Sequence, residues 1–200
     1  MTRRLFLLSH GMTAALRAAA FPADEALEAG ALMAARALPS VLPRAHLLLC
    51  APERRTRETA EAAGLAALRE ERLADWDCGR WRGLGFDALA AAESAAVSRW
   101  RNDPEAAPHG GESLLTLLAR VRGWIDDLQR ERDSERVLAV THPAVVRAMV
   151  VAALDLPPEA FWRLDVRPLT LTELRGGRGA WNLLTFAAPL GRAAAQAGEA

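Results

Sequence analysis

Lysine is missing altogether: all 25 basic residues are arginine, and 25 acidic residues match them. A chain with no net charge and no basic block has no field to gather phosphate backbones, so nucleic acid is not an expected partner. With the heavy alanine content, the arginine bias reflects GC-rich coding, and it lowers the information in any single Arg. Cysteine is scarce. Cys50 and Cys78 form no CxxC pair, which argues against a disulfide framework and fits a reducing cytoplasm. Long hydrophobic runs are lacking too. "LFLL", after two N-terminal arginines, is interrupted by Ser9 and His10, too soon for a signal peptide. "PAVVRAMVVAALDL" carries Arg147 in its middle and is too short to span a bilayer. A cytoplasmic protein without membrane contact is therefore expected. Missing motifs narrow the chemistry further. No GxSxG elbow, GxxxxGK[ST] loop, GxGxxG turn or HExxH pair occurs, so serine hydrolysis, the common nucleotide-binding modes and a metal centre are not indicated, and no cofactor is expected.

What is present describes a globular chain. Of 200 residues, 51% are hydrophobic and 25% charged, enough for one sizeable core and short for two domains. Short apolar runs at 5–8, 46–49 and 137–140 read as strands buried on both faces. Helical patterns cover 24–38, 53–64, 113–132 and 143–154. The third is the clearest, with Leu114, Leu117, Leu118, Val121, Ile125 and Leu128 at helical spacing behind a "GGES" turn and cap. "FWRLDV", "LTLTEL" and "AWNLLTF" read as closing strands. The alternation predicts an α/β fold, a three-layer sandwich with a mostly parallel central sheet flanked by helices. One domain over 1–186 is expected, with a small helical cap at about 84–109 and a flexible tail at 187–200.

In such a sheet the ligand crevice lies beyond the carboxyl ends of the strands. Ser9 and His10 follow the first run, Cys50 and "PERRTRET" the second, and Thr141 and His142 the third. Two imidazoles and an arginine cluster then share one crevice. That set suits phosphate: a neutral imidazole can attack phosphorus while guanidinium groups hold the non-bridging oxygens. Helix N-termini facing the crevice add backbone donors. Arg54 and Arg57 flank Arg55, and at most one of them can point inward with it. His46 sits at the wrong end of its strand. His109 reads as an exposed loop residue beside the pocket mouth. Trp76 and Trp81 either pack in the core or bound the substrate side.

Five segments in order then resemble the histidine phosphatase superfamily, the phosphoglycerate mutase-like fold. "SHGMT" resembles its RHG(E/x)T, "APERRTRETA" its SPxxRAxQTA and "LADWDCGRWRG" its LxExDxGxWxG. "GGES" is intact, and "VTHPAVVR" resembles VxHxxxIR. The resemblance implies His10 as the nucleophile that becomes phosphohistidine, His142 as the second imidazole and Arg55 as a phosphate clamp. It implies Asp75, with Asp77 as a rival, as the carboxyl that protonates the leaving oxygen, its pKa raised by partial burial. Thr13 and Glu112 complete the expected substrate contacts, although Glu112 and Ser113 also suit a helix cap. Pro143 replaces the usual Gly and starts a helix. Ser9 stands where the family has an Arg, a loss of the kind that costs about 100- to 1,000-fold in rate. Three outcomes follow: Arg17 takes its place, the Ser9 hydroxyl donates instead in a slower enzyme, or the protein only binds a phosphorylated ligand. Hydrolysis of a small phosphomonoester is the expected activity. The alternatives are a non-catalytic phosphate-ligand binding protein or a phosphoglycerate mutase-type transferase. A homodimer is a family habit.

Overall fold

Leu5, Phe6, Leu7 and Leu8 are all at most 1% exposed, and a run with no polar face can only be a strand covered on both sides. In a computed structural model of the chain, which describes residues 2–130, 136–177 and 180–190, this run lies within β1 (Arg3–Ser9). β1 is hydrogen-bonded between β4 (Arg136–Thr141) and β5 (Thr170–Gly177) in a six-stranded sheet of order β3-β2-β4-β1-β5-β6. β2 (Leu47–Cys50) and β3 (Leu68–Arg69) complete the parallel part, and β5 and β6 (Ala180–Pro189) add antiparallel strands.

Alternate residues face opposite layers. Leu5, Leu7, Val137 and Ala139 pack with α6 (Leu114–Arg130) and α7 (Pro143–Ala153), in one cluster with five of the tryptophans. Phe6, Leu8, Leu138 and Val140 pack on the other side with α2 (Ala29–Arg36) and α3 (Arg54–Ala62). The result is the expected three-layer α/β sandwich. A single turn of helix, α1 (Ala14–Arg17), follows β1. The segment 84–109 carries α4 (Phe86–Ala92) and α5 (Ser94–Asn102). Among the described residues, no helix is long and apolar enough to cross a membrane.

Three expectations are corrected. "FWRLDV" is not a strand: Pro158–Arg163 is a 3-10 turn, started by a proline in its first turn, whose fixed φ suits a helical start. The helix expected over 24–38 begins only at Ala29 and gives way to a 3-10 turn at Leu38–Ser40. Residues 187–189, expected in the tail, belong to β6, with Pro189 paired to Thr170. The rest of that tail from 191, and the last two positions of the helix expected to reach 132, lie outside the described residues.

Candidate active site

Strand register builds the site. Ser9 is level with Thr141, so the next residue on each strand, His10 and His142, emerges side by side. The His10 N–H donates to the Thr141 carbonyl (2.9 Å). The two ring centroids lie 5.2 Å apart at 66°, close to one strand spacing of about 4.8 Å. β2 borders β4 on its other side, with Cys50 level with Val140, and the chain beyond it enters α3, whose second residue is Arg55. Thr141 also donates its hydroxyl to the Leu73 carbonyl (2.9 Å). That bond pins the chain two residues before Asp75 against the same strand end.

Arg55 is 1% exposed. Its Nη2 donates to Asp75 Oδ2 (2.6 Å), while Nε and Nη1 are buried with no hydrogen-bond partner among the described residues. Leaving one buried donor unpaired costs about 1–3 kcal/mol. Two on one guanidinium at the edge of a crevice form a fork that fits a tetrahedral oxyanion.

His10 Nδ1 is 2.7 Å from the Gly11 carbonyl oxygen. A carbonyl only accepts, so Nδ1 carries the hydrogen and Nε2 keeps its lone pair. Burial first, then the charges of His142 and Arg55, push the His10 pKa down to about 3, against the Gly11 carbonyl and Asp75. The ring is neutral at physiological pH, which a nitrogen nucleophile requires.

The expectation of a raised Asp75 carboxyl is corrected. Burial does act upward, but His142, Arg55, His10 and the Trp76 N–H (2.8 Å) outweigh it and hold Asp75 well below the usual carboxylate range. His142 lies between two carboxylates: Nε2 is 2.7 Å from Glu53 Oε2 and Nδ1 is 3.4 Å from Asp75 Oδ2. Glu53 Oε1 also accepts the Asp75 N–H (2.9 Å), so one side chain orients both neighbours. Burial would raise the Glu53 pKa, but the His142 bond and charge and the Asp75 N–H lower it. Sequence reasoning missed Glu53. Its only signal was position, two residues before Arg55 in a segment that leaves a buried strand at the crevice.

The remaining candidates separate. Ser9 turns away from the crevice: its hydroxyl donates to the Arg167 carbonyl (2.7 Å) and accepts from the Thr170 N–H (3.0 Å). Arg17 is no substitute for the lost Arg, since its side chain is 65% exposed and grips Glu28 through Nε (2.8 Å) and Nη2 (2.6 Å). Thr13 lines the crevice, with its hydroxyl occupied by Glu25 (2.9 Å) and the Leu16 N–H (3.2 Å). Glu112 is absent from the crevice lining and binds Arg120 (2.7 Å) and the Asp77 N–H (3.2 Å). Asp77 holds the Gly79 N–H (2.9 Å) and Arg82 (3.0 Å), so of the two aspartates it is Asp75 that lies beside the imidazoles. His109 is buried, not exposed: its ring packs 5.0 Å from that of Trp81, and Nδ1 accepts the Gly111 N–H (3.0 Å). Trp81 packs in the core, whereas Trp76 lines the crevice.

Two lobes meet at Pro22, Arg55, Asp75 and Trp76. One, of about 160 Å³, borders His10 and is walled by Phe21, Trp76, Trp100 and Trp162, with Arg147 in its lining. The other, of about 260 Å³, is lined by charged side chains including Asp24, Glu53 and Arg82. Among the described residues, no cluster of His, Cys, Asp and Glu is arranged to hold a metal ion.

Known proteins share this arrangement of sequence and fold. The profile of the histidine phosphatase superfamily (branch 1) matches residues 5–189. Phosphoserine phosphatase 1 of Hydrogenobacter thermophilus is 30% identical over 135 residues, which span 64% of this chain and 64% of that protein. Glucosyl-3-phosphoglycerate phosphatase of Mycobacterium tuberculosis is 31% identical over 171 residues, 78% of this chain and 77% of that one. A solved structure of a mycobacterial glucosyl-3-phosphoglycerate phosphatase with inorganic phosphate matches with a TM-score of 0.79 at 28% identity, covering 94% of this chain and 98% of the other.

Proposed function

Because the chain belongs to the histidine phosphatase superfamily, we propose that it hydrolyses small phosphomonoesters through a phosphohistidine on His10. The observation that carries this reading is the pair of unpartnered donors on buried Arg55 beside a neutral His10. The substrate dianion takes the free Nε and Nη1 donors of Arg55. Its charge, and its claim on the cation that keeps Asp75 ionised, both raise the proton affinity of Asp75, which takes up a proton from solvent. Nε2 of His10 then attacks phosphorus, the bond to the ester oxygen breaks, and Asp75 delivers a proton to the departing oxygen. Water attacks the phosphohistidine next. Asp75 takes its proton, the P–N bond breaks, and the electron pair returns to Nε2. Glu53 holds His142 against the transferring group throughout.

The test is hydrolysis of p-nitrophenyl phosphate by the wild type and by His10→Ala. The variant is expected to lose roughly 10⁴- to 10⁶-fold, and the quenched wild type to carry an acid-labile, base-stable phosphoryl group on His10. Equal turnover in both proteins would exclude His10 as nucleophile. Phosphate binding without turnover in either would instead favour a ligand-binding module.

A further inference from the structure

The lobe beside His10 has a wall of four aromatic rings, Phe21, Trp76, Trp100 and Trp162, with aliphatic side chains around it. Trp100 and Trp162 lie 4.8 Å apart between centroids, Trp76 and Trp100 5.1 Å, and Phe21 and Trp100 5.6 Å. Phe21, Trp76 and Trp100 are 7–8% exposed, so the wall is fixed by packing. Away from the phosphoryl seat at Arg55 the polar groups are few: the Arg147 guanidinium lies over the Phe161 ring (4.5 Å) with Nε donating to the Pro143 carbonyl (3.4 Å). The Glu25 carboxylate accepts from Thr13 and the Ala23 N–H, and the Trp76 indole N–H donates to the Glu112 carbonyl. A polyhydroxylated group entering here would give up its water for few replacement bonds, at a cost for each hydroxyl left unpaired. A flat apolar group loses nothing and gains offset or edge-on ring contacts. The space of about 160 Å³ is close to the cavity of about 150 Å³ that takes up one benzene molecule.

The charged lobe is a weaker seat for the leaving group. His10 does not border it, and apart from Arg55 its charged side chains are already paired. Asp24 accepts the Arg54 N–H, Glu53 holds His142 and the Asp75 N–H, and Arg82 holds Asp77.

We propose that the apolar lobe selects phosphomonoesters whose alcohol carries a planar ring, an aryl or arylmethyl group, over those of sugars or glycerate. This rests on the phosphatase reading, since the phosphoryl group must sit on Arg55 for the ring to reach the lobe. Phenols leave faster than alkanols on any catalyst, so rates would confound the comparison. Binding of inert phosphonates avoids this.

The experiment is calorimetric titration of the wild type, Trp162→Ala and Trp162→Phe with benzylphosphonate, 2,3-dihydroxypropylphosphonate and inorganic phosphate. Trp162 is chosen because it lines the lobe while only partly buried, so its loss disturbs the core less than loss of a fully buried ring, and Trp162→Phe keeps most of its packing. Benzylphosphonate is expected to bind the wild type at least about tenfold tighter than the dihydroxypropyl compound. Trp162→Ala should reduce that ratio to within about threefold with phosphate affinity unchanged, and Trp162→Phe should restore most of it. Equal or tighter binding of the dihydroxypropyl compound, or a ratio that Trp162→Ala leaves intact, overturns the proposal. Failure of all three ligands to bind overturns the phosphatase reading, and this proposal with it.

Discussion

At the end of β1 the hydroxyl of Ser9 fastens a chain crossing. It donates to the Arg167 carbonyl and accepts the buried Thr170 N–H, while Leu169 between them sits at φ 54 with its N–H on the Ser9 carbonyl (3.2 Å). A leucine in the left-handed region is held there by its surroundings, and Ser9 is part of that hold. Ser9→Ala is therefore expected to lower stability by roughly 1–3 kcal/mol, because the Thr170 N–H loses its partner, and to leave kcat/KM within about twofold. Denaturant unfolding and a steady-state assay check the two halves. A large loss of turnover with unchanged stability would put Ser9 on the substrate instead. The same residue shows what a sequence hides. The gap against the family's Arg was visible, but whether Ser9 faced ligand or fold depended on a strand 160 positions away. Glu53 was hidden for the converse reason. It has the ordinary look of a helix-start carboxylate, and only the β2–β4 pairing brings His142 to it.

Among the elements, the loop 75–83 is locked to the turn 109–112 at two glycines. A Cβ on Gly111 would lie 2.0 Å from the Asp77 carbonyl oxygen, and one on Gly79, at φ 47, 2.2 Å from the His109 carbonyl oxygen. No rotamer relieves a clash between backbones. Gly111→Ala is expected to destabilise by at least about 2 kcal/mol and to displace Asp75, so the melting temperature and kcat should fall together. A fully stable, active variant would contradict that lock. Element types were legible where one period dominated, as in α6 and the buried strands. They were not legible at "FWRLDV", whose Trp162, Leu164 and Val166 mimic a strand's alternation. There the aromatic cluster decides: Phe161 is fully buried, 5.3 Å from Trp76, and Trp162 faces the crevice. Tertiary packing of this kind overrides a short local pattern. His109 was misjudged for a related reason, since a glycine-rich loop gives no sign that a tryptophan will cover it.

For the molecule as a whole, the layer order and the position of the crevice followed from alternating runs and strand ends, because parallel sheets leave few other solutions. Charge states did not follow, since they depend on burial. His10 sits at about 3 in the fold against 6.5, so the unfolded chain binds more protons between those values and stability falls as pH drops through that window. Between pH 6.5 and 5 this one ring is expected to remove roughly 2 kcal/mol. His10→Asn should flatten that part of the stability–pH curve, as measured by denaturant midpoints. An equally steep curve for the variant would mean that His10 is not the group being protonated.

The Arg55–Asp75 contact carries a last consequence. Asp75 is a tethered competitor for the cation that an incoming dianion needs, present at a concentration no free ligand can match. Whatever anion takes the free Nε and Nη1 donors must share the guanidinium with it, and is held less firmly than by an arginine with no carboxylate attached. Such an arrangement sacrifices tight holding for rapid exchange and keeps the spent ion from clogging the cleft.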